Sequence, residues 1–400
     1  MQFRYKALQL LTKRGAAWQK GLSMAGANAE QRSYGQLSAA DGQVSFAVRG
    51  PHGWLCDVVP GDGEDAFEIG ADPKALVDRI GEVWGREEIE LAVQTGERPR
   101  LVVSAEGYTK PLLMDPSTGF TPEALVPLPE VDTEAATLRS TVLAGQLQAV
   151  LKFALHAAPK PEAFPQRAVV SLVFEEEEVR GLATDGRLIV CARGTALAAA
   201  EAPWELHLET TAAERLYGLL STVPELEQVH LEVVPGEPDP YLVVSFEEAT
   251  PMVVMPLPLK AGLPVEKLLA GAAERKPLAT VVVTPRTVHD IQAVGTEKAV
   301  VFEASKHGLK VWARVDTDAA EEERTAAVDV PASECSPGAQ AVDAELVAKF
   351  LALMNGDTLE LQLASSDRGA GLLVLEQVNE SEVSVLAALV ALNISQGARG

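Results

Sequence analysis

Three stretches of this chain repeat one another, and the repeat constrains the fold before any motif is read. The segments "ALVDRIGEVWGREEIELAV", "ERLYGLLSTVPELEQVHLEV" and "AELVAKFLALMNGDTLELQL" end at Val93, Val233 and Leu363. Aligned on the strands that start at Ile89, Val229 and Leu359, they match without an internal gap. Leu76, Leu216 and Leu346 coincide, then Ile80, Leu220 and Phe350, then Val83, Val223 and Leu353. Apolar residues at i, i+4 and i+7 make one face of a helix. Each segment therefore reads as an amphipathic helix, a short turn and an alternating strand.

The likeness extends in both directions. "LVVS" follows the first segment at Leu101 and the second at Leu242, each trailed by another apolar run; "GLLVLE" and "VSVLAALVAL" follow the third. Upstream, "ALQLLTKRGAAWQKGL", "VLAGQLQAVLKFALHA" and "PRTVHDIQAVGTEKA" each suggest a further helix. Repeats of this length are whole domains. The reading is an α+β chain of three tandem domains, each with two helices packed on antiparallel sheet. The Pro-rich stretches "PEALVPLPEVD" and "PLPLKAGLP" serve as linkers. The expected boundaries are 1–132, 133–265 and 266–392, with a tail over 393–400.

Charge is unevenly spread. The net charge is −23, from 34 basic and 57 acidic residues, which on its sum alone argues against a nucleic-acid partner. Yet no Asp or Glu occurs from Met1 to Ala29, from Ala135 to Pro161, or from Arg275 to His289. These windows carry Arg4, Lys6, Lys13, Arg14 and Lys20; then Arg139, Lys152, His156 and Lys160; then Arg275, Lys276 and Arg286. Each window opens a repeat and covers much of its first helix. One explanation is that first helices are simply buried and apolar. The other is one face kept neutral to basic on an otherwise acidic molecule, which suits a protein that surrounds DNA with few phosphate contacts.

The motif "ATDGRLIVC", Ala183 to Cys191, holds an Asp-Gly pair between apolar runs, a hairpin signal in its own right. Together with the repeats and the charge windows, it makes the chain resemble the bacterial beta sliding clamp, the processivity subunit of DNA polymerase III. The resemblance covers almost the whole chain. It implies three clamp-type domains, closure of two chains head to tail into a ring, and no catalysis and no cofactor. The implied partners are double-stranded DNA, the replicative polymerase, the clamp loader, other proteins with clamp-binding motifs and a second copy of the chain. In the family the middle domain carries Ala-Thr-Asp-Gly-His-Arg-Leu, which lines a peptide pocket between the second and third domains. Carried over, the pocket comprises Thr184, Gly186, Arg187, Leu188, Val169, Pro264, Leu386 and Leu389. The His after Asp-Gly is missing here, and the Met and Pro of the family's closing strand are replaced. The resemblance places the seam at Thr109 and Leu112 against Ala293 and Val294. Lys13, Arg14, Lys20, Lys152 and Arg286 are the DNA-facing expectations.

Enzymatic readings find little support. The sequence has no GxSxG, P-loop or HExxH motif and no Cys/His metal spacing. "PGDGEDAFEIG" lacks the spacing of an EF-hand loop. Cys56, Cys191 and Cys335 are far apart, as suits a reducing compartment, and no apolar run is long enough to span a bilayer. The expectation is a cytoplasmic, membrane-free protein. Two competing readings are a monomeric clamp-like binding module that has lost ring closure and a hydrolase using scattered carboxylates.

Overall fold

The computed structural model describes residues 2–19, 35–50, 52–63, 66–94, 100–113, 129–160, 168–198, 202–248, 251–257, 264–273, 277–294, 299–314, 324–330, 336–352, 359–364, 372–378 and 383–390. Lys20, the tail over 393–400 and most of both Pro-rich linkers fall outside them. The fold is α+β with antiparallel sheets, as the repeat predicts. Elements are numbered along the chain. It divides into two compact units: residues 1–144 with 215–259, and residues 145–214 with 260–400.

The first unit holds two sheets. A four-stranded sheet orders β1 (Gln2–Arg4), β6 (Glu88–Gln94), β7 (Arg100–Ala105) and β8 (Tyr108–Leu113). The second sheet runs β5 (Phe67–Ala71), β2 (Gly35–Ala40), β3 (Gln43–Gly50), β4 (Gly53–Pro60), β16 (Met252–Pro256), β15 (Tyr241–Phe246), β14 (Gln228–Val234) and β9 (Leu138–Leu143). Helix α1 (Tyr5–Gln19) packs against α2 (Pro73–Gly81) and on β3 and β4. Asp72 caps α2 by accepting from the Lys74 amide at 2.9 Å, with Pro73 at its first turn. Trp18, Phe3, Phe46, Leu8 and Leu11 fill the core with Leu76 and Ile80, the residues that define the repeat.

The second unit has the same plan. One sheet runs β13 (Trp204–Glu209), β10 (Val169–Phe174), β11 (Glu178–Thr184), β12 (Leu188–Ala198), β24 (Ser384–Val390), β23 (Leu372–Val378), β22 (Leu359–Ala364) and β17 (Pro277–Val283). A four-stranded sheet orders β21 (Gly338–Asp343), β18 (Ala299–Ser305), β19 (Gly308–Arg314) and β20 (Arg324–Val330). Helices α3 (Ala144–Ala157), α5 (Val265–Ala273), α6 (Pro285–Val294) and α7 (Ala344–Ala352) belong here, and α4 (Thr210–Leu220) spans the sequence division between the units. Phe174 stacks on Trp204 with ring centroids 4.3 Å apart.

The compact units are out of phase with the repeats. The segment expected as the middle domain, 133–265, is shared between them. The cause is sheet continuity. In the first unit β4 of the first repeat pairs with β16 of the second, Leu55 opposite Val253. In the second unit β12 of the second repeat pairs with β24 of the third over six residue pairs. Each run of eight strands thus joins four strands from one repeat to four from the next, edge to edge. The outer edges of the two four-stranded sheets, β8 and β20, occupy the places that β16 and β4 hold in the first joint.

Candidate functional site

The hairpin motif builds a turn from its own side chains. The Asp185 carboxylate accepts from the amides of Arg187 and Leu188, both at 2.8 Å, and the Thr184 hydroxyl accepts from the Gly186 amide at 3.0 Å. Gly186 has φ of +91°, a conformation costly for any residue with a Cβ. Arg187 points outward, with Asp343 as a loose partner at 3.9 Å.

Across the turn Thr184 pairs with Ile189, and the strand alternates from there. Ile189 and Cys191 share one face with Leu182 of β11 and Ala388 of β24, and α5 covers that face with Val265 and Leu269. Half-buried Leu386 and Val173 pack against this cluster. Arg180 fastens the start of α5 by pairing with Glu266 and is also held by Glu175. Leu188, paired with Leu389, lies on the opposite face, and both are fully buried. That face receives α3: a Cβ on Gly181 would come within 2.6 Å of Val150, and one on Gly194 within 2.7 Å of Gln146.

The expected single cleft of Leu188, Pro264 and Leu386 is therefore corrected. Leu386 pairs with Cys191, three residues beyond Leu188, and an odd spacing along a strand reverses the face. Strand alternation supplies the reason: Ile189 and Cys191, not Leu188, share the face that α5 covers. Val169 is also buried, as is Thr184. Pro264 is exposed just before α5, Leu386 is half-buried, and Leu268 stands out from α5 at 47% exposure. The face α5 covers was legible in "VEKLLAGAA", where Val265 and Leu269 lie one helical turn apart. Burial pushes the Cys191 thiol pKa up, against the lowering effect of its contact with Arg193.

The expected DNA-facing residues divide. Lys13 is exposed on α1, Lys152 half-buried on α3 and Arg286 exposed on α6, the first helices of the three repeats. Arg14 is the exception and a second correction. It is 5% exposed and salt-bridged to Asp57 at 3.0 Å, and it donates through Nε to the Thr222 hydroxyl at 3.0 Å and through Nη2 to the Thr222 carbonyl at 3.3 Å. The spacing of Leu8, Leu11, Arg14 and Trp18 puts it on the inward stripe of α1. At the expected seam, Thr109 is exposed on the edge strand β8, and Ala293 is exposed on α6, which packs on β20. Leu112 and Val294 lie in β8 and α6, and their side chains fall outside the described residues.

Two depressions flank the start of α1. One, of about 680 Å³, is lined by Arg4, Tyr5, Lys6, Gln9 and the segment Trp84 to Glu88. The other, of about 770 Å³, reaches Glu87, Glu88, Glu90 and Glu106 and touches Thr109.

No family model matches the chain, and no curated protein does. Solved structures do. The DNA polymerase III beta subunit of Thermotoga maritima superposes with a TM-score of 0.78 at 13% identity, covering 98% of this chain and 99% of that one. The corresponding subunit of Pseudomonas aeruginosa gives 0.76 at 14% identity, covering 98% and 100%. The DNA polymerase sliding clamp of Bacillus subtilis gives 0.74 at 12%, covering 98% of each. The chain carries the fold of these clamps along nearly its whole length.

Proposed function

We propose that this chain, with the fold of the beta sliding clamps, is itself a DNA sliding clamp: a non-catalytic ring of two copies that encircles duplex DNA and tethers a replicative polymerase. The observation that carries the reading is the repeated joint. Twice within the chain, the third strand of one half-repeat pairs antiparallel with the third strand of the next, β4 with β16 and β12 with β24. The same half-sheets recur unjoined at the two ends, one ending in β8 and the other in β20. Bare strand edges are templates for further pairing. Pairing β8 of each copy with β20 of the other makes the third kind of joint and closes the assembly head to tail, leaving neither edge open.

The basic residues suit this reading: Lys13, Lys152 and Arg286 stand on the first helices of the three repeats, and as the proposed DNA contacts they touch phosphates only transiently. The acidic remainder opposes stray binding. Partner proteins, among them a clamp loader and repair proteins, dock at the surface around α5, where Leu386, Leu268 and Pro264 offer apolar anchors, and Arg187 stands exposed on the turn between β11 and β12. A cytoplasmic location belongs to the same reading.

Sedimentation at micromolar protein tests closure. A dimer is expected for the native chain. The double variant Thr109→Glu/Ala293→Glu should be monomeric yet folded, because both positions are exposed. Loaded dimer should stay on nicked circular DNA in high salt and leave when the circle is cut, since a closed ring is held topologically whereas ionic contacts are weakened by salt. A native chain that is monomeric at every concentration would overturn the ring and favour a monomeric binding module.

A further inference from the structure

The depression beside α1 has a composition that the ring reading does not use. Trp84 stands at the turn after α2 with 79% of its surface exposed. Arg4, Lys6 and Arg86 line the same depression and are exposed, and none of the three side chains has an ion pair or hydrogen bond among the described residues. The backbone holds the arrangement together, with the Tyr5 amide donating to the Glu87 carbonyl at 2.9 Å and the Arg86 amide to the Val83 carbonyl at 3.3 Å. An indole this exposed costs apolar exposure, and it lies among three exposed cations on a chain of net charge −23.

We infer that Trp84, Arg4, Lys6 and Arg86 form a site for single-stranded nucleic acid, with an unpaired base stacked on the indole and its flanking phosphates held by the three cations. An aromatic platform bordered by basic side chains is the recurring design for unpaired strands, because every base has a flat face. The direction of approach follows from the neighbouring charges. Glu87 and Glu88 line the depression too, and the adjoining cavity adds Glu90 and Glu106. From Lys6 the exposed surface of α1 continues to Lys13, seven residues on and so on the same side of the helix, within a window free of acids. A strand therefore enters along α1 and avoids the carboxylate side. The inference rests on the clamp reading: duplex passes the first helices, and the site takes the unpaired strand where duplex ends.

The test is fluorescence anisotropy of the full-length protein with three labelled probes: a blunt hairpin duplex, the same hairpin with a ten-nucleotide thymidine overhang, and that overhang made abasic. Native protein should bind the thymidine overhang about tenfold more tightly than the blunt or abasic forms, the gain one stacked base provides. Trp84→Ala should erase that gain and Trp84→Phe should keep most of it; the exposed position makes unfolding no concern. Arg4→Ala/Lys6→Ala/Arg86→Ala should weaken overhang binding and flatten its salt dependence by about two units of slope. Equal binding of thymidine and abasic overhangs, or an undiminished gain in Trp84→Ala, would overturn the site. So would Trp84-dependent binding of an acidic aromatic peptide without any overhang gain, which would assign the depression to a protein partner. Retention on circular DNA, measured separately, distinguishes failure of this site from failure of the ring.

Discussion

Arg14 and Arg187 each face an aspartate, and the two pairs have opposite uses. Arg14 and Asp57 meet at 3.0 Å with side chains 5% and 1% exposed, and Thr222 takes up the rest of the guanidinium. Arg187 and Asp343 stand 3.9 Å apart with side chains 64% and 32% exposed. The first pair ties α1 to β4 and to the turn after α4 inside one unit. The second holds almost nothing, and its guanidinium remains available at the surface. A positive charge in a basic window says nothing about use until its direction is known, and direction is set by helical or strand period.

The largest expected effect is on the buried pair. Arg14→Ala leaves Asp57 buried and uncompensated, and should cost about 3–5 kcal/mol, read as a lowered urea midpoint. Arg14→Met/Asp57→Leu removes both charges and should recover most of that loss. A double variant as unstable as the single one would mean that the Thr222 hydrogen bonds, and not the ion pair, carry the strut. Next comes the turn that presents Arg187. Gly186→Ala meets no neighbour within 4 Å, so its cost is backbone strain alone, about 1–2 kcal/mol. A neutral result in thermal unfolding would show that the turn relaxes and that the outward aim of Arg187 is not fixed. The smallest effect is Arg187→Ala, expected within about 0.5 kcal/mol of native stability. Its consequence should instead be weaker binding of a polymerase-derived clamp-binding peptide. A large loss of stability would make the two arginines alike and remove the contrast.

The sequence carried the fold further than the site. The residues that defined the repeat, Leu76 with Ile80 and Leu216 with Leu220, are all buried, because helical period reports inward direction whatever the neighbours. The same period, read at Leu8, Leu11 and Trp18, would have turned Arg14 inward; the basic window drew attention to charge first. The proposed docking surface was harder to read. Alignment paired Leu188 with the motif's leucine, whereas strand alternation puts Leu188 and Leu386 on opposite faces and Ile189 beside Leu386. Helix α5 passed unread because its apolar pair, Val265 and Leu269, sits in a short segment behind a proline. The edge joints were out of reach, since pairing between strands of different repeats leaves no local pattern.

The interleaving of the units also bears on synthesis. Strand β4 is complete once residue 60 is made, but its partner β16 begins at Met252. Roughly 190 residues separate them, about 10–40 s of translation at ordinary elongation rates. For that time the first half-sheet has an open edge on the ribosome, and the first unit cannot finish folding while its own N-terminal repeat is the only one available. Cotranslational folding of this chain is thus paced by the second repeat, and a nascent chain stalled before residue 250 should expose an edge that chaperones can bind.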